Sequence, residues 1–110
     1  MNYLTKLTLA KAIKAQEVGE IQKAEMLYLS ILKEEPDNPD ANHNMGILVL
    51  ESSRVDDALK YFQKSVRLAP LNPQFWISLI NVLIILGKNR EARSGLKKAK
   101  KNGVSPRVLN

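Results

Sequence analysis

The stretch NPDANHNMGILVLESSRVDDALKYFQKSVRLAPLNP, residues 38–73, begins and ends with the same Asn-Pro pair, 34 residues apart. Other residues recur at this interval: alanine stands at positions 24, 58 and 92, and proline at 36 and 70. A fixed period of this size indicates an array of structural repeats. The sequence therefore predicts a single domain over residues 1–110 that contains three units, residues 5–38, 39–72 and 73–106.

Each unit contains two amphipathic segments, and none of them alternates with the period of a strand. In the second unit, Asn38 is suited to cap a helix and Pro39 to occupy its first position. Ala58, Phe62 and Val66 then follow at helical spacing before a proline. The sequence thus predicts an all-α fold of six helices in three antiparallel pairs, over residues 5–17, 21–34, 39–52, 56–69, 74–86 and 89–101.

The pattern of the units resembles the tetratricopeptide repeat, in which W-x2-L-G-x2-Y is followed by A-x3-F and then P. The second unit matches through Met45-Gly46, Val49, Ala58, Phe62 and Pro70. The third retains Trp76, Leu79, Leu83 and Ala92, but it carries Ile80 where the family prefers a small residue. The resemblance implies that the three repeats form a right-handed α-solenoid, an alpha-alpha superhelix.

The composition argues against catalysis. The chain has no cysteine and a single histidine, His43, which excludes disulfides and thiolate zinc sites and disfavours a histidine metal site. It also lacks a glycine-rich phosphate loop, a G-x-S-x-G elbow and an H-E-x-x-H pair. We expect His43 to be a polar residue on an exposed helix face, and we expect no enzyme activity, catalytic residue, metal, cofactor or small-molecule substrate.

The hydropathy pattern bears on the compartment. No apolar run is long enough to span a membrane, and the N-terminus lacks the profile of a signal peptide. We therefore expect a cytoplasmic protein without membrane insertion.

The net charge of +6 is concentrated at one end, because residues 87–110 carry eight Lys or Arg and one Glu. One face of the last helix is expected to pack against the core through Ala92, Leu96 and Ala99. The cations are therefore expected on its outer, solvated side. No aromatic residue lies between them to stack on bases, which argues against nucleic-acid binding.

The resemblance also implies a concave groove, lined by the first helix of each unit, in which a peptide binds. Asn44 and Asn81 are suited to bond a peptide backbone, and Ile13, Ile47 and Ile77 to accept side chains. Alternatively, the isoleucines pack against each other across the inner curve. The predicted groove residues are Lys6, Leu9, Ile13, Asp40, His43, Asn44, Ile47, Gln74, Ile77, Ser78 and Asn81.

Residues 76–86 are apolar nearly all round, which is typical of a helix covered on several sides. A polar capping helix is not expected after residue 104. The third pair is therefore predicted to be covered by a two-fold partner in a homodimer or by a continuation of the polypeptide. The residues of this predicted docking surface are Trp76, Ile80, Ile84 and Ile85.

Several functions remain open at this point. One is a free-standing adaptor that binds a partner protein or peptide, and another is a homodimerisation element. Residues 24–46 also resemble the opening repeats of O-linked N-acetylglucosamine transferase (SPINDLY-like) proteins. That resemblance implies a segment that recognises substrate proteins for a glycosyltransferase, with catalysis outside this chain.

One subtype of the family allows a direct prediction. Members that hold the C-terminal carboxylates of chaperones use Lys, Asn, Asn, Lys and Arg on their inner helices. The matching residues here are Leu9, Ile13, Asn44, Gln74 and Ser78, of which only Asn44 agrees. We expect no binding heat when a chaperone tail peptide of the Hsp70/Hsp90 type is titrated into the protein by calorimetry, and a micromolar affinity would contradict this.

Overall fold

The structure, a computed structural model, describes residues 2–105, which form six α-helices and no strand. The predicted all-α fold is therefore confirmed. The last residue of the predicted third unit, Pro106, lies outside the described residues. The helices are α1 (Tyr3–Glu17), α2 (Ile21–Glu34), α3 (Pro39–Glu51), α4 (Val55–Leu68), α5 (Pro73–Ile85) and α6 (Asn89–Lys101).

The starts of α3 and α5 use the same local chemistry. The side-chain oxygen of Asn38 accepts a hydrogen bond from the backbone N–H of Ala41 at 2.9 Å, and that of Asn72 accepts from Gln74 at 2.9 Å. A proline then occupies the first helical turn in both helices. Since an Asn cap contributes about 1 kcal/mol, these paired signals fix where two of the three repeats begin.

The turn that follows the first helix of each pair contains a residue with left-handed backbone. Gly19, Ser53 and Gly87 have φ of 85°, 64° and 75°. In each turn the next residue returns a backbone hydrogen bond to the last helical turn, as from Arg54 to the carbonyl of Val49 at 2.8 Å. The same turn at the same interval gives the three pairs the same antiparallel geometry.

A small residue lets the two helices of a pair approach each other. In the second pair, a Cβ placed on Gly46 would lie 2.5 Å from Cε1 of Phe62, which is fully buried. In the third pair Ile80 occupies the repeat position of Gly46, and it lies opposite Gly95 of α6, whose added Cβ would sit 3.5 Å from Ile80 Cγ1. The isoleucine that departs from the family pattern is thus accommodated by a glycine on the opposite helix.

Side-chain hydrogen bonds join the successive pairs. The hydroxyl of Tyr28 donates to Gln16 at 2.7 Å, and the amide of Gln16 donates to Glu51 at 2.6 Å, which ties α2, α1 and α3 together. Burial and nearby carboxylates raise the pKa of Tyr28 to about 12, so its hydroxyl remains a donor.

Asn42 and Trp76 occupy equivalent repeat positions, and both donate a side-chain hydrogen bond to the carbonyl of a preceding proline. The amide of Asn42 donates to the carbonyl of Pro36 at 3.0 Å, and the indole of Trp76 donates to that of Pro70 at 2.7 Å. Each bond closes the loop that leads into the repeat. The asparagine therefore replaces the tryptophan of the family pattern in its hydrogen bond, though not in its volume.

The two helical glycines give a matched prediction. Gly46→Ala should destabilise the fold by about 1–3 kcal/mol, because its methyl group overlaps the buried Phe62 ring. Gly95→Ala should stabilise it by up to about 1 kcal/mol, because the new Cβ meets only Ile80 at 3.5 Å and alanine favours the helix. Urea denaturation of both variants measures the difference, and a Gly46→Ala protein as stable as the parent would contradict the close contact.

Candidate peptide-binding site

The inner face of the molecule consists of α1, α3 and α5, which lie side by side. Its centre is apolar, because Leu9, Ile47 and Ile77 are partly exposed and Ile13 is 38% exposed. Asn44 is partly exposed and Asn81 is exposed on the same face. The exposed residues of its margin are Lys6, Asp40 and Gln74.

His43 and Ser78 belong to the repeat interface rather than to the surface, so the expected exposure of His43 is wrong. The two side chains are 7% and 6% exposed, and a 2.7 Å hydrogen bond joins His43 Nε2 to Ser78 Oγ. The imidazole also stacks on Phe75, with ring centroids 4.6 Å apart, and lies against Phe62. These contacts hold α3 against α5 and form the floor of the inner face.

Burial lowers the pKa of His43, although the side chain of Asn44 and the charge of Asp40 act in the opposite direction. The imidazole is therefore neutral near pH 7. A neutral ring suits its position, because a cation stacked inside the apolar interface would lose its hydration.

The predicted docking surface divides into buried and exposed parts. Trp76 is only 6% exposed: its ring packs in the core and its N–H donates to the carbonyl of Pro70. Ile80 is partly buried beside Gly95. Ile84 and Ile85 are 55% and 60% exposed and form an apolar patch at the end of α5.

The basic residues of α6 point outward, as predicted. Ala92, Gly95 and Ala99 are buried on its packed side. The exposed cations are Arg90, Arg93, Lys97, Lys98, Lys100 and Lys101.

Glu35, which directly follows α2, has a structural role. Its carboxylate accepts a hydrogen bond from the hydroxyl of Thr5 and another from the side chain of Asn38. The bond from Thr5 lowers the pKa of Glu35. No local motif marks this contact, since its partners are 30 residues apart.

Two further properties of residues 2–105 concern membrane spans and metal sites. None of these helices combines the length and the apolar character that crossing a membrane requires. Within the same residues, no group of three or more His, Asp or Glu side chains is placed to hold a metal ion.

Three antiparallel pairs in one 34-residue register define a helical repeat protein of the α-solenoid class. The family model for the tetratricopeptide repeat matches residues 9–73 and 43–103. The chain belongs to the tetratricopeptide repeat family.

Several solved structures have the same fold. A mutant of the Thermobaculum terrenum O-GlcNAc transferase is 27% identical, with a TM-score of 0.79, and the match covers 90% of this chain and 19% of that one. The chain therefore spans about one fifth of the transferase's length. The predicted resemblance to the repeat region of such transferases is confirmed.

Two further structures share the fold at lower identity. The TPR domain of Sgt2 from Aspergillus fumigatus is 21% identical with a TM-score of 0.82, covering 98% of this chain and 76% of that one. YrrB, a TPR protein with an unusual peptide-binding site, is 21% identical with a TM-score of 0.78, and the match covers 87% of this chain and 50% of that one. No curated protein matches the chain.

The buried imidazole predicts a pH dependence. Because the pKa of His43 is lower in the folded state than its usual value of about 6.5, the unfolded chain binds a proton first as the pH falls. The free energy of unfolding should therefore decrease below about pH 6.5 and level off under the folded pKa. In His43→Gln this decrease should disappear, so that the stability gap to the parent narrows between pH 7.5 and 5.0. Ser78→Ala retains the imidazole and serves as the control, and parallel pH profiles for parent and His43→Gln would contradict the assignment.

Proposed function

We propose that the chain is a non-catalytic interaction module that binds an extended segment of a partner protein on its inner face. The observation that carries the proposal is a row of accessible apolar side chains, Leu9, Ile13, Ile47 and Ile77, beside the amides of Asn44 and Asn81. An extended peptide offers side chains to such pockets and backbone groups to such amides.

The floor of the inner face supports this reading. The bond between His43 and Ser78, and the stacking on Phe75, fix α3 relative to α5 before any ligand arrives. A preorganised surface loses less entropy when a peptide binds. His43 therefore acts as a positioning residue, and it is not proposed to contact the peptide.

The charges of the inner face indicate the kind of peptide. Lys6 and Asp40 have opposite signs on neighbouring helices, and Gln74 is neutral. Since the described residues of this face include no cationic cluster to meet a carboxylate, selection should rest on apolar side chains of the peptide. The fold of YrrB, with its unusual peptide-binding site, supports a binding role for this scaffold.

Two settings accommodate this module. In one, it is the segment that recognises substrate proteins in an O-GlcNAc transferase-like glycosyltransferase, which the 27% identity over 90% of the chain supports. In the other, it is a free-standing cytoplasmic adaptor. The mass of the native polypeptide, measured by immunoblot and intact mass spectrometry, separates them: a value near 12.4 kDa identifies the adaptor, and a much larger value supports the transferase segment.

Binding on the inner face predicts a specific mutational pattern. Peptides selected by display on the immobilised protein should lose at least about tenfold in affinity for the Asn44→Ala, Asn81→Ala double variant, because two backbone hydrogen bonds are removed. Gln22→Ala removes an exposed amide of α2, a helix that does not contribute to the inner face, and should leave the affinity unchanged. Fluorescence anisotropy measures both, and equal effects of the two changes would contradict the inner-face site.

Self-association is the second candidate function, and the exposure of Ile84 and Ile85 favours it. An apolar patch at the end of an array is suited to pair with its copy across a two-fold axis. Sedimentation equilibrium should then show a dimer that Ile84→Asn and Ile85→Asn dissociate. A mass of 12.4 kDa at every concentration would contradict the dimer.

A further inference from the structure

A second concavity lies on the side opposite the inner face. This outer groove, of about 650 Å³, runs between the parallel helices α4 and α6, with α5 beneath it. Its floor is apolar, consisting of Val66, Trp76, Leu79 and Leu83. Its volume lies within the range of about 300–1,000 Å³ typical of ligand sites.

The repeat itself explains why this groove is open. Tyr61 of α4 is equivalent to Gly95 of α6, because the two are 34 residues apart. Tyr61 is partly buried and packs against the core, and its pKa is raised by burial and by the charges of Asp57 and Glu25. By the 34-residue register, Tyr61 stands to the interval between α2 and α4 as Gly95 stands to the groove between α4 and α6. In the next interval, Gly95 leaves that volume empty.

The groove also carries unpaired positive charge. Arg67 and Lys98 lie on its rim and are exposed, and none of the four ion pairs found within residues 2–105 includes either of them. The carboxylate on the rim, Glu91, lies 3.9 Å from Lys88. Positive charge therefore prevails at the end of the groove where α4 and α6 finish.

We propose that the outer groove binds an acidic segment of a partner protein, anchored by one aromatic side chain that takes the place Tyr61 fills in the preceding interval. The ring rests on Leu79 and Leu83 beside Gly95. The flanking carboxylates face Arg67 and Lys98, which stand about one helical turn further along. This aromatic-and-acidic preference differs from the apolar, uncharged preference of the inner face, so the two proposals stand separately.

The chain contains its own reporter for the test. Trp76 is the single tryptophan, and it lies in the floor of the outer groove. We would titrate the 110-residue chain with the peptide EDEYDEDE and follow Trp76 fluorescence and the NMR signals of the Trp76 indole N–H and of the Gly95 amide. The peptide EDEADEDE lacks the aromatic ring, and KKKYKKKK reverses the charge.

The expected result is a saturable change at Trp76 and Gly95 with EDEYDEDE, and at least about tenfold weaker binding of both comparison peptides. Gly95→Tyr should lower the affinity for EDEYDEDE by at least about tenfold, because the new tyrosine ring fills the groove. Lys97→Gln is the matched control, because it removes an exposed cation of the same helix outside the groove, and it should bind as the parent does. Arg67→Gln and Lys98→Gln, both at exposed positions, should each weaken binding without affecting the fold.

Four outcomes would overturn the proposal. They are no change at Trp76 up to about 1 mM peptide, equal binding of EDEADEDE, unaltered binding by a folded Gly95→Tyr protein, and shifts confined to Asn44, Asn81 and their neighbours. The last outcome would leave the inner-face site intact while removing the outer one. Conversely, loss of inner-face binding in the Asn44→Ala, Asn81→Ala variant has no bearing on the signal at Trp76.

Discussion

The structure depends on a contact in which a large side chain of one helix meets the bare backbone of its partner. Phe62 lies so close to Gly46 that a methyl group at that position has no room. Only at such a distance do the two helices bury the alanines that line the pair. In the third pair Ile80 replaces this glycine, and Gly95 lies opposite it with room for a methyl group. Gly95 stands where the preceding repeat has Tyr61, and the open groove beside α6 is its consequence.

The two faces of the array differ because different helices form them. The first helix of each pair contributes an isoleucine to the inner face, and α3 and α5 add asparagines, over a floor fixed by His43 and Ser78. The second helices contribute the outer face, where the last one carries most of the net charge. The chemistry of each face suits a different ligand, although one repeat pattern generates both.

The 34-residue period and its local signals predicted the six helices, their order and their turns, because caps and left-handed turn residues act within a few positions. The placement of side chains across repeats was harder to predict. His43 looked exposed because its own helix gives no sign that Phe75 and Ser78 will cover it from the next repeat. The sequence shows that Gly95 replaces Tyr61 at the equivalent repeat position. That this replacement opens a groove became clear only from the packing of Ile80 beside Gly95.

The two junctions between repeats are built from different forces. The first relies on Gln16 with Glu51 and on the ion pair of Arg54 with Glu25 at 2.6 Å, and the second on His43 stacked against Phe75. Screening by salt weakens the ionic junction and leaves the aromatic one untouched. In a quasi-one-dimensional array, such unevenness sets the order in which units detach. At high ionic strength the N-terminal repeat should fray first, exchanging its amide protons while the other two remain protected as one cooperative block.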